Sequence, residues 1–360
     1  MGRLPRPGMP SQLDPAGDGR MQHLRREVRQ LRWPPVAPRR RGLVLPPLRR
    51  GAQGRLPQGA HVRDPSRAGA GVTVLEDPTD FGDRSHPAAL VNVTNRCNLK
   101  CTHCFVFRDD NPNASIDRMD DETMLHQLEV LRDRHGIRSM LFMGGEPMVR
   151  RRLVLRAMEL FEDASIVTNG TYGIPSVPGH LVTVSLDGPP EVNDSIRGPG
   201  VFSRVEETIR ARDPRDGTTV ILQMAVMRST AHAMEAFVEA VADWPIDGVA
   251  FTFYVPTAGE HSDLAWDTNE ERDEVIDRAI ALKRRYPGLV KSSIATLELM
   301  KSDRCGAYTG DNCALRAMLP LYVGDGGVFE RTYCCYGNDV DCDRCGAYAV
   351  FNAARHRGTA

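Results

Sequence analysis

Cys97-Asn98-Leu99-Lys100-Cys101-Thr102-His103-Cys104 decides the reading of this chain. Three cysteines stand at spacings of four and three, just beyond the apolar stretch Ala88-Ala89-Leu90-Val91-Asn92-Val93. Three thiolates on one short loop can hold three irons of a four-iron cluster. The fourth iron then has no protein ligand and is open to a substrate. Electron-carrying [4Fe–4S] proteins use four cysteines per cluster. A compact set of three therefore points to chemistry at the open iron. On the residues alone, the alternatives are three scattered buried thiols or part of a zinc site.

The other cysteines sharpen this. There are nine in all, three in this motif and six after residue 300. An odd count without a signal peptide argues against a secreted disulfide scaffold. Clustering with Cys-x2-Cys spacing argues for metal in a reducing compartment, hence a cytoplasmic protein. A net charge of −1 excludes a global electrostatic pull toward nucleic acid or a membrane surface. No apolar run approaches the ~20 residues of a spanning helix, and the first thirty residues lack the apolar core of an export signal. Lysine is confined to Lys100, Lys283, Lys291 and Lys301, with arginine carrying the remaining positive charge, as a GC-rich genome would produce.

At 360 residues the chain suits two domains, or one large α/β barrel with an appendage. Residues 1–86 stand apart. They are dense in Arg, Pro and Gly, as in Pro34-Pro35-Val36-Ala37-Pro38-Arg39-Arg40-Arg41-Gly42, with one possible short helix around Met21–Leu31. Such composition cannot bury enough surface to offset chain entropy. The segment reads as a disordered tail, a mis-called upstream extension, or a basic arm for an acidic partner.

From Pro87 short apolar runs alternate with amphipathic stretches, the pattern of βα units on a parallel sheet. Strands are expected at 89–94, 139–143, 164–168, 181–186, 219–226 and 248–254. Helices are expected at 121–135, 149–163, 202–212, 231–243 and 268–285. Asp120 or Asp121 caps the first helix and Gly136 ends it; Thr268 with Glu271 forms a capping box on the last. Six strands followed by helices give an α/β fold, a partial (β/α)6 TIM-type barrel over 87–300, with a small cysteine-rich extension over 301–360. Function in such sheets gathers at the C-terminal ends of the strands.

Those ends carry Gly144-Gly145-Glu146-Pro147, Thr168-Asn169-Gly170, Ser185-Leu186-Asp187-Gly188 and Asn193-Asp194-Ser195-Ile196-Arg197-Gly198. Two glycines allow backbone to approach a ligand closely, and Pro147 starts the next helix. Each segment alone also reads as a plain turn. Tyr254, Glu260, His261 and Asp263, after strand six, are candidates for a substrate pocket or ordinary loop residues.

Together, Cys-x3-Cys-x2-Cys after the first strand and Gly-Gly-Glu-Pro after the second resemble the radical S-adenosylmethionine (radical SAM) superfamily over about Pro87 to Tyr254. The resemblance implies a [4Fe–4S] cluster on Cys97, Cys101 and Cys104, with S-adenosylmethionine (SAM) on its open iron. By it, the backbone of Gly144, Gly145 and Pro147 and the Glu146 carboxylate would hold the methionine amino group. Ser185 would meet the ribose or carboxylate, Arg197 the carboxylate, and Asn169 the cofactor. Asp187 would face the substrate side. His103 stands where the family usually has an aromatic residue beside the adenine. The reaction implied is reductive cleavage of SAM to a 5′-deoxyadenosyl radical that abstracts hydrogen from a substrate. A flavodoxin or ferredoxin-type donor would supply the electron.

Beyond residue 300, Cys305, Cys313, Cys334, Cys335, Cys342 and Cys345 flank Leu321-Tyr322-Val323-Gly324-Asp325-Gly326-Gly327-Val328-Phe329, a β-hairpin signal. A Cys, a hairpin, a Cys and a Cys-x2-Cys resemble the twitch domain, the short form of the SPASM extension. That implies an auxiliary iron–sulfur cluster on Cys313, Cys334, Cys342 and Cys345. Cys335 competes with Cys334, and Cys305 with Cys313. A structural zinc on the same thiolates is the alternative. Six cysteines are fewer than a two-cluster SPASM domain carries. The substrate is a peptide or protein to be matured, or a small molecule, with no leader-binding module visible. The competing functional class is a non-catalytic iron–sulfur or zinc protein that retains the fold.

Overall fold

The computed structural model describes residues 81, 85–107, 117–332, 334, 336–337 and 339–357. The expectations for residues 1–80, including the helix at 21–31, lie outside the described residues, as does Cys335.

Eight strands form one open sheet among the described residues: β1 (Ala88–Asn92), β2 (Ser139–Met143), β3 (Asp163–Thr168), β4 (Leu181–Ser185), β5 (Thr219–Val226), β6 (Gly248–Phe253), β7 (Leu319–Val323) and β8 (Phe329–Arg331). Their order is β6-β5-β4-β3-β2-β1-β7-β8. The first six run parallel in the partial-barrel arrangement the alternation predicts. The helices between them are α1 (Asp121–His135), α2 (Arg151–Met158), α3 (Pro190–Arg197), α4 (Val201–Arg210) and α5 (Met234–Ala240). After β6 come α6 (Asn269–Arg285) and α7 (Ile294–Leu299), and α8 (Tyr348–Arg357) ends the described chain.

Local chemistry explains the clearest boundaries. The Asp120 carboxylate accepts from the Thr123 N–H at the start of α1, and Gly136 ends the helix at φ 64°, a left-handed position glycine adopts without strain. Met124, Leu128 and Leu131 are its buried stripe. Along β5, Val220, Leu222, Met224 and Val226 are fully buried while Ile221, Gln223 and Ala225 face the other way. Burying one such aliphatic side chain stabilises by about 1.5–3 kcal/mol. The alternation thereby fixes register and commits Gln223 and Ala225 to the barrel interior.

Three features depart from the sequence expectation. The second helix ends at Met158 and is preceded by a 3-10 turn at Pro147–Arg150. The stretch after β4 is helical, as α3, rather than a loop. The cysteine-rich extension is not laid beside the barrel but built into it. Its hairpin, β7 with β8, is antiparallel within itself, and β7 pairs in parallel with β1, Ala89 opposite Leu319 and Val91 opposite Leu321. Farther on, the extension runs against the exit of β6: Phe253 N–H donates to Gly346 O at 2.8 Å, Ala258 N–H to Asp339 O at 2.8 Å, and Asp341 N–H to Pro256 O at 2.9 Å.

Candidate active site

Leaving β1, the chain crosses the end of β2. Gly145 N–H donates to Thr94 O at 2.8 Å and Glu146 N–H to Arg96 O at 2.9 Å. That crossing requires both glycines. A Cβ on Gly144 would lie 2.5 Å from Thr94 O, and one on Gly145 would lie 2.4 Å from Arg96 O and 3.2 Å from Cys97 Cβ. Within the loop, Cys104 N–H donates to Cys101 O at 3.1 Å, and Thr102 N–H reaches Ile196 O on α3 at 3.0 Å. The cysteine loop is thus held by β2 on one side and α3 on the other.

Cys97, Cys101 and Cys104 line one cavity of about 180 Å³, and no other cysteine among the described residues does. Gly144, Gly145, Asn169, Ser185, Arg197 and His103 line it too, so the strand-end segments and the cysteine loop meet as the sequence implied. The Asn169 amide stands 3.8 Å from Cys97 Sγ and donates to Asn98 Oδ1 at 3.0 Å. Arg197 Nη1 stands 3.9 Å from Cys101 Sγ.

Three of the expected site residues stand outside the cavity wall. Glu146 and Pro147 are not part of its wall. The Glu146 carboxylate is wholly buried and accepts from Met148 N–H at 2.9 Å, Thr168 Oγ1–H at 2.7 Å and Asn169 N–H at 2.7 Å. Burial pushes this carboxyl up against those three donors. It ties the β3 turn to the β2 turn. Asp187 does not face the cavity either. It is fully buried, accepts from Ala225 N–H at 2.9 Å, and sets Oδ2 2.7 Å from both His103 Nε2 and Arg197 Nε. Burial alone would raise this carboxyl, but the Arg197 charge, with His103, overrides it and holds Asp187 well below the usual carboxylate range. Asp187 therefore fixes two cavity-lining side chains from behind.

Further wall residues went unnoticed in the sequence. Gln223 and Ala225 follow from the period-2 pattern of β5. Phe105 and Tyr336 had no local signal: their rings meet at 5.0 Å between centroids, joining the cysteine loop to the C-terminal extension over the cavity. Of the late-strand candidates, Tyr254 lines the cavity and its hydroxyl donates to Glu260 at 3.3 Å. Glu260 also accepts from Thr257 and Ser262, which makes it a loop anchor. His261 pairs with Asp267 and Asp263 with Arg228, all away from the cavity wall.

In the extension, Cys313, Cys334 and Cys345 act on one another electrostatically. Burial first, and then Cys334 and Cys313, push the Cys345 thiol up to about 12. Burial, and then Cys334, raises Cys313. Cys342 sits one turn before Cys345, whose N–H donates to its carbonyl at 3.3 Å. Cys305 is different: it is buried, and its charged neighbours are Arg272 and Asp273. Among the described residues, no group of three His, Cys, Asp or Glu side chains is placed to hold a single metal ion.

Residues 91–241 match the family model described as the Radical SAM superfamily. The match takes in the cysteine loop, the strand-end segments and the helices through α5. Among curated proteins, the chain is 28% identical over 206 residues to a pre-heme d1 synthase of Dinoroseobacter shibae, covering 54% of this chain and 48% of that one. It is 30% identical over 160 residues to a GTP 3',8-cyclase of Streptomyces coelicolor, covering 43% and 45%. The chain thus spans about half the length of the curated relatives it matches. Among solved structures, it resembles native anSMEcpe with bound AdoMet, with a TM-score of 0.54 and 17% identity over 75% of this chain and 82% of that one. It also resembles Streptococcus suis SuiB bound to the precursor peptide SuiA, with a TM-score of 0.51 and 13% identity over 77% and 66%. At those identities the likeness is one of fold.

A radical SAM domain takes a [4Fe–4S] cluster and S-adenosylmethionine as cofactors, and the donor set here fits them. Three thiols line the cavity, and no fourth cysteine among the described residues does. Burial raises Cys97, and lifts Cys101 to about 11, so metal binding is what converts these thiols to thiolates. No helix among the described residues is long and apolar enough to cross a membrane.

Proposed function

We propose that this chain is a radical SAM enzyme that removes hydrogen from a small-molecule substrate, with a second iron–sulfur centre in its C-terminal extension. The observation that carries the reading is the single cavity shared by Cys97, Cys101, Cys104, Gly144, Gly145 and Arg197. When bound, the reduced cluster and SAM supply a 5′-deoxyadenosyl radical. Cys97, Cys101 and Cys104 hold three irons. The Gly144–Gly145 backbone, unshielded by side chains, and Ser185 accept the amino acid and ribose parts of SAM. Arg197 offers its outer nitrogens to the carboxylate while Asp187 holds its Nε. Phe105, Tyr254 and Tyr336 close the cavity against water, which protects a radical from quenching. A flavodoxin or ferredoxin-type protein supplies the electron.

Two findings support a small molecule over a peptide. The cavity that Phe105 and Tyr336 line together holds only about 180 Å³, and the curated relatives bear the names of tetrapyrrole and nucleotide enzymes. For the extension, Cys313, Cys334, Cys342 and Cys345 are the ligands proposed. A cube of four irons gives each thiolate its own corner, whereas a zinc ion needs all four to converge.

Anaerobic reconstitution with SAM and a strong reductant tests the reading. The expected result is 5′-deoxyadenosine above a Cys97→Ala control and about eight irons per chain, as two four-iron clusters require. No 5′-deoxyadenosine above that control overturns the enzyme assignment. About four irons with one zinc overturns the second cluster alone.

A further inference from the structure

Arg272 on α6 is only 1% exposed, and no carboxylate among the described residues lies within ion-pair distance of it. Its Nη1 donates to Arg344 O at 3.0 Å and to Cys345 O at 3.1 Å, and its Nη2 to Met300 O at 3.3 Å. Its Nε is buried with no acceptor. The adjacent Asp273 is turned to Ser302, accepting from its N–H at 2.9 Å and its hydroxyl at 2.6 Å. Three carbonyls satisfy hydrogen bonds but supply no ion-paired anion, Asp273 acting on the charge only from beyond ion-pair distance, and burying a charge without a paired partner is unfavourable. A neutral donor could clamp the same carbonyls without that cost. The groups beside Arg272 that become anionic when metal binding releases their proton are thiols, Cys345 and then Cys305.

We propose that Arg272 is the fixed counter-charge of the metal centre in the C-terminal extension, and that it raises the readiness of that centre to accept an electron. The inference rests on the reading of Cys313, Cys334, Cys342 and Cys345 as iron–sulfur ligands. A cluster held by four thiolates carries net negative charge, and reduction by one electron adds one more unit. A guanidinium bonded to the backbone of one ligand residue, in a dry interior, stabilises the reduced state more than the oxidised state. Charge and burial near a cluster are among the terms that set its potential. Arg272 is thus a tuning residue whose own bonds go to backbone carbonyls.

The test uses the full chain with Cys97, Cys101 and Cys104 all replaced by Ala, so that the only iron signal comes from the extension. Arg272→Gln removes the charge and keeps hydrogen-bonding capacity; Arg272→Lys keeps the charge. A redox titration followed by electron paramagnetic resonance, with iron and zinc analysis of each protein, reads the outcome. The expected result is a lower midpoint for the Gln variant, by a tenfold change in the one-electron equilibrium or about 59 mV, with the Lys variant close to the parent. Loss of iron in the Gln variant and its retention in the Lys variant supports the same assignment. An unchanged midpoint with iron intact in the Gln variant overturns it. So does an equal shift or equal iron loss in both variants, which would make Arg272 a clamp and no more. Zinc, or no metal, in the parent overturns the iron–sulfur reading itself, and the metal analysis separates that result from the others.

Discussion

Asp187 sets one carboxylate oxygen 2.7 Å from both His103 Nε2 and Arg197 Nε, without any exposed surface. Removing one member of a buried charge set leaves the others uncompensated and costs about 3–5 kcal/mol. Asp187→Asn is expected to lose stability on that scale by denaturant titration, and to lower SAM affinity because Arg197 is no longer held. The pH dependence has a definite sign. The folded-state pKa of Asp187 is depressed, so its contribution is complete above the ordinary carboxylate range near pH 4. It is lost as pH falls through the folded value. The parent protein should therefore lose stability on acidification below about pH 4, and the Asn variant should lack that component. Glu146 makes a different point at the same scale. Glu146→Gln sets an amide N–H₂ against a carboxylate site that now meets three donors, leaving one buried N–H without an acceptor at a cost of about 1–3 kcal/mol. Because Glu146 joins the β2 and β3 turns from behind, the variant should weaken SAM binding through Asn169 while leaving iron content intact. A variant with parental SAM affinity would show the tie to be dispensable.

Gly145 sets how closely β2 and the cysteine loop can approach. Its backbone is not in the left-handed region, so the requirement is purely one of space. In Gly145→Ala the new methyl would stand 2.4 Å from Arg96 O, and the loop must shift. The expected outcome is a loss of about 1–3 kcal/mol from overpacking and a fall in iron bound at Cys97, Cys101 and Cys104, read by absorbance and metal analysis. Gly288→Ala, which meets nothing within 4 Å, is the control and should load fully. Elements with a local cause were legible in the sequence. Bounds expected for α1 at 121–135, β2 at 139–143 and β5 at 219–226 agree with the structure, because caps and period-2 alternation act within a few residues. The α3 helix escaped notice because Pro189-Pro190 and a short polar run look like a turn; the helix is stabilised by buried Asn193 and Ile196 and by its contact with the cysteine loop. The motif residues that gather at the cavity were legible for the same reason that strand ends are. What Glu146 and Asp187 do there was not, since a carboxylate's direction depends on which donors the neighbouring strands present.

The pairing of β7 with β1 belongs to the whole molecule, and nothing within either strand announces it. A parallel pair between residues 89–91 and 319–321 joins strands far apart in sequence, and parallel strands need a crossover connection between them. It changes the meaning of the C-terminal extension. The sequence places a boundary near residue 300, yet the segment beyond it completes one edge of the sheet, meets the exit of β6 at 339–346, and contributes Tyr336 to the cavity. The β1 strand, which launches the cysteine loop, is an interior strand only because β7 covers it. A chain ending at Met300 would strip Leu319, Leu321 and Phe329, all buried, from the barrel and expose the backbone edge of β1. An uncovered, apolar parallel edge is a template for association. It would also remove the Arg344 and Cys345 carbonyls from Arg272 and leave its charge buried with one acceptor. Such a chain is expected to aggregate or to lack a cooperative thermal transition, measured by size-exclusion chromatography and far-ultraviolet circular dichroism. Restoring residues 301–357 should restore both the parental elution volume and iron binding at Cys97, Cys101 and Cys104. A truncated monomer that melts at the parental temperature would show instead that the extension is a separate domain resting on a self-sufficient barrel.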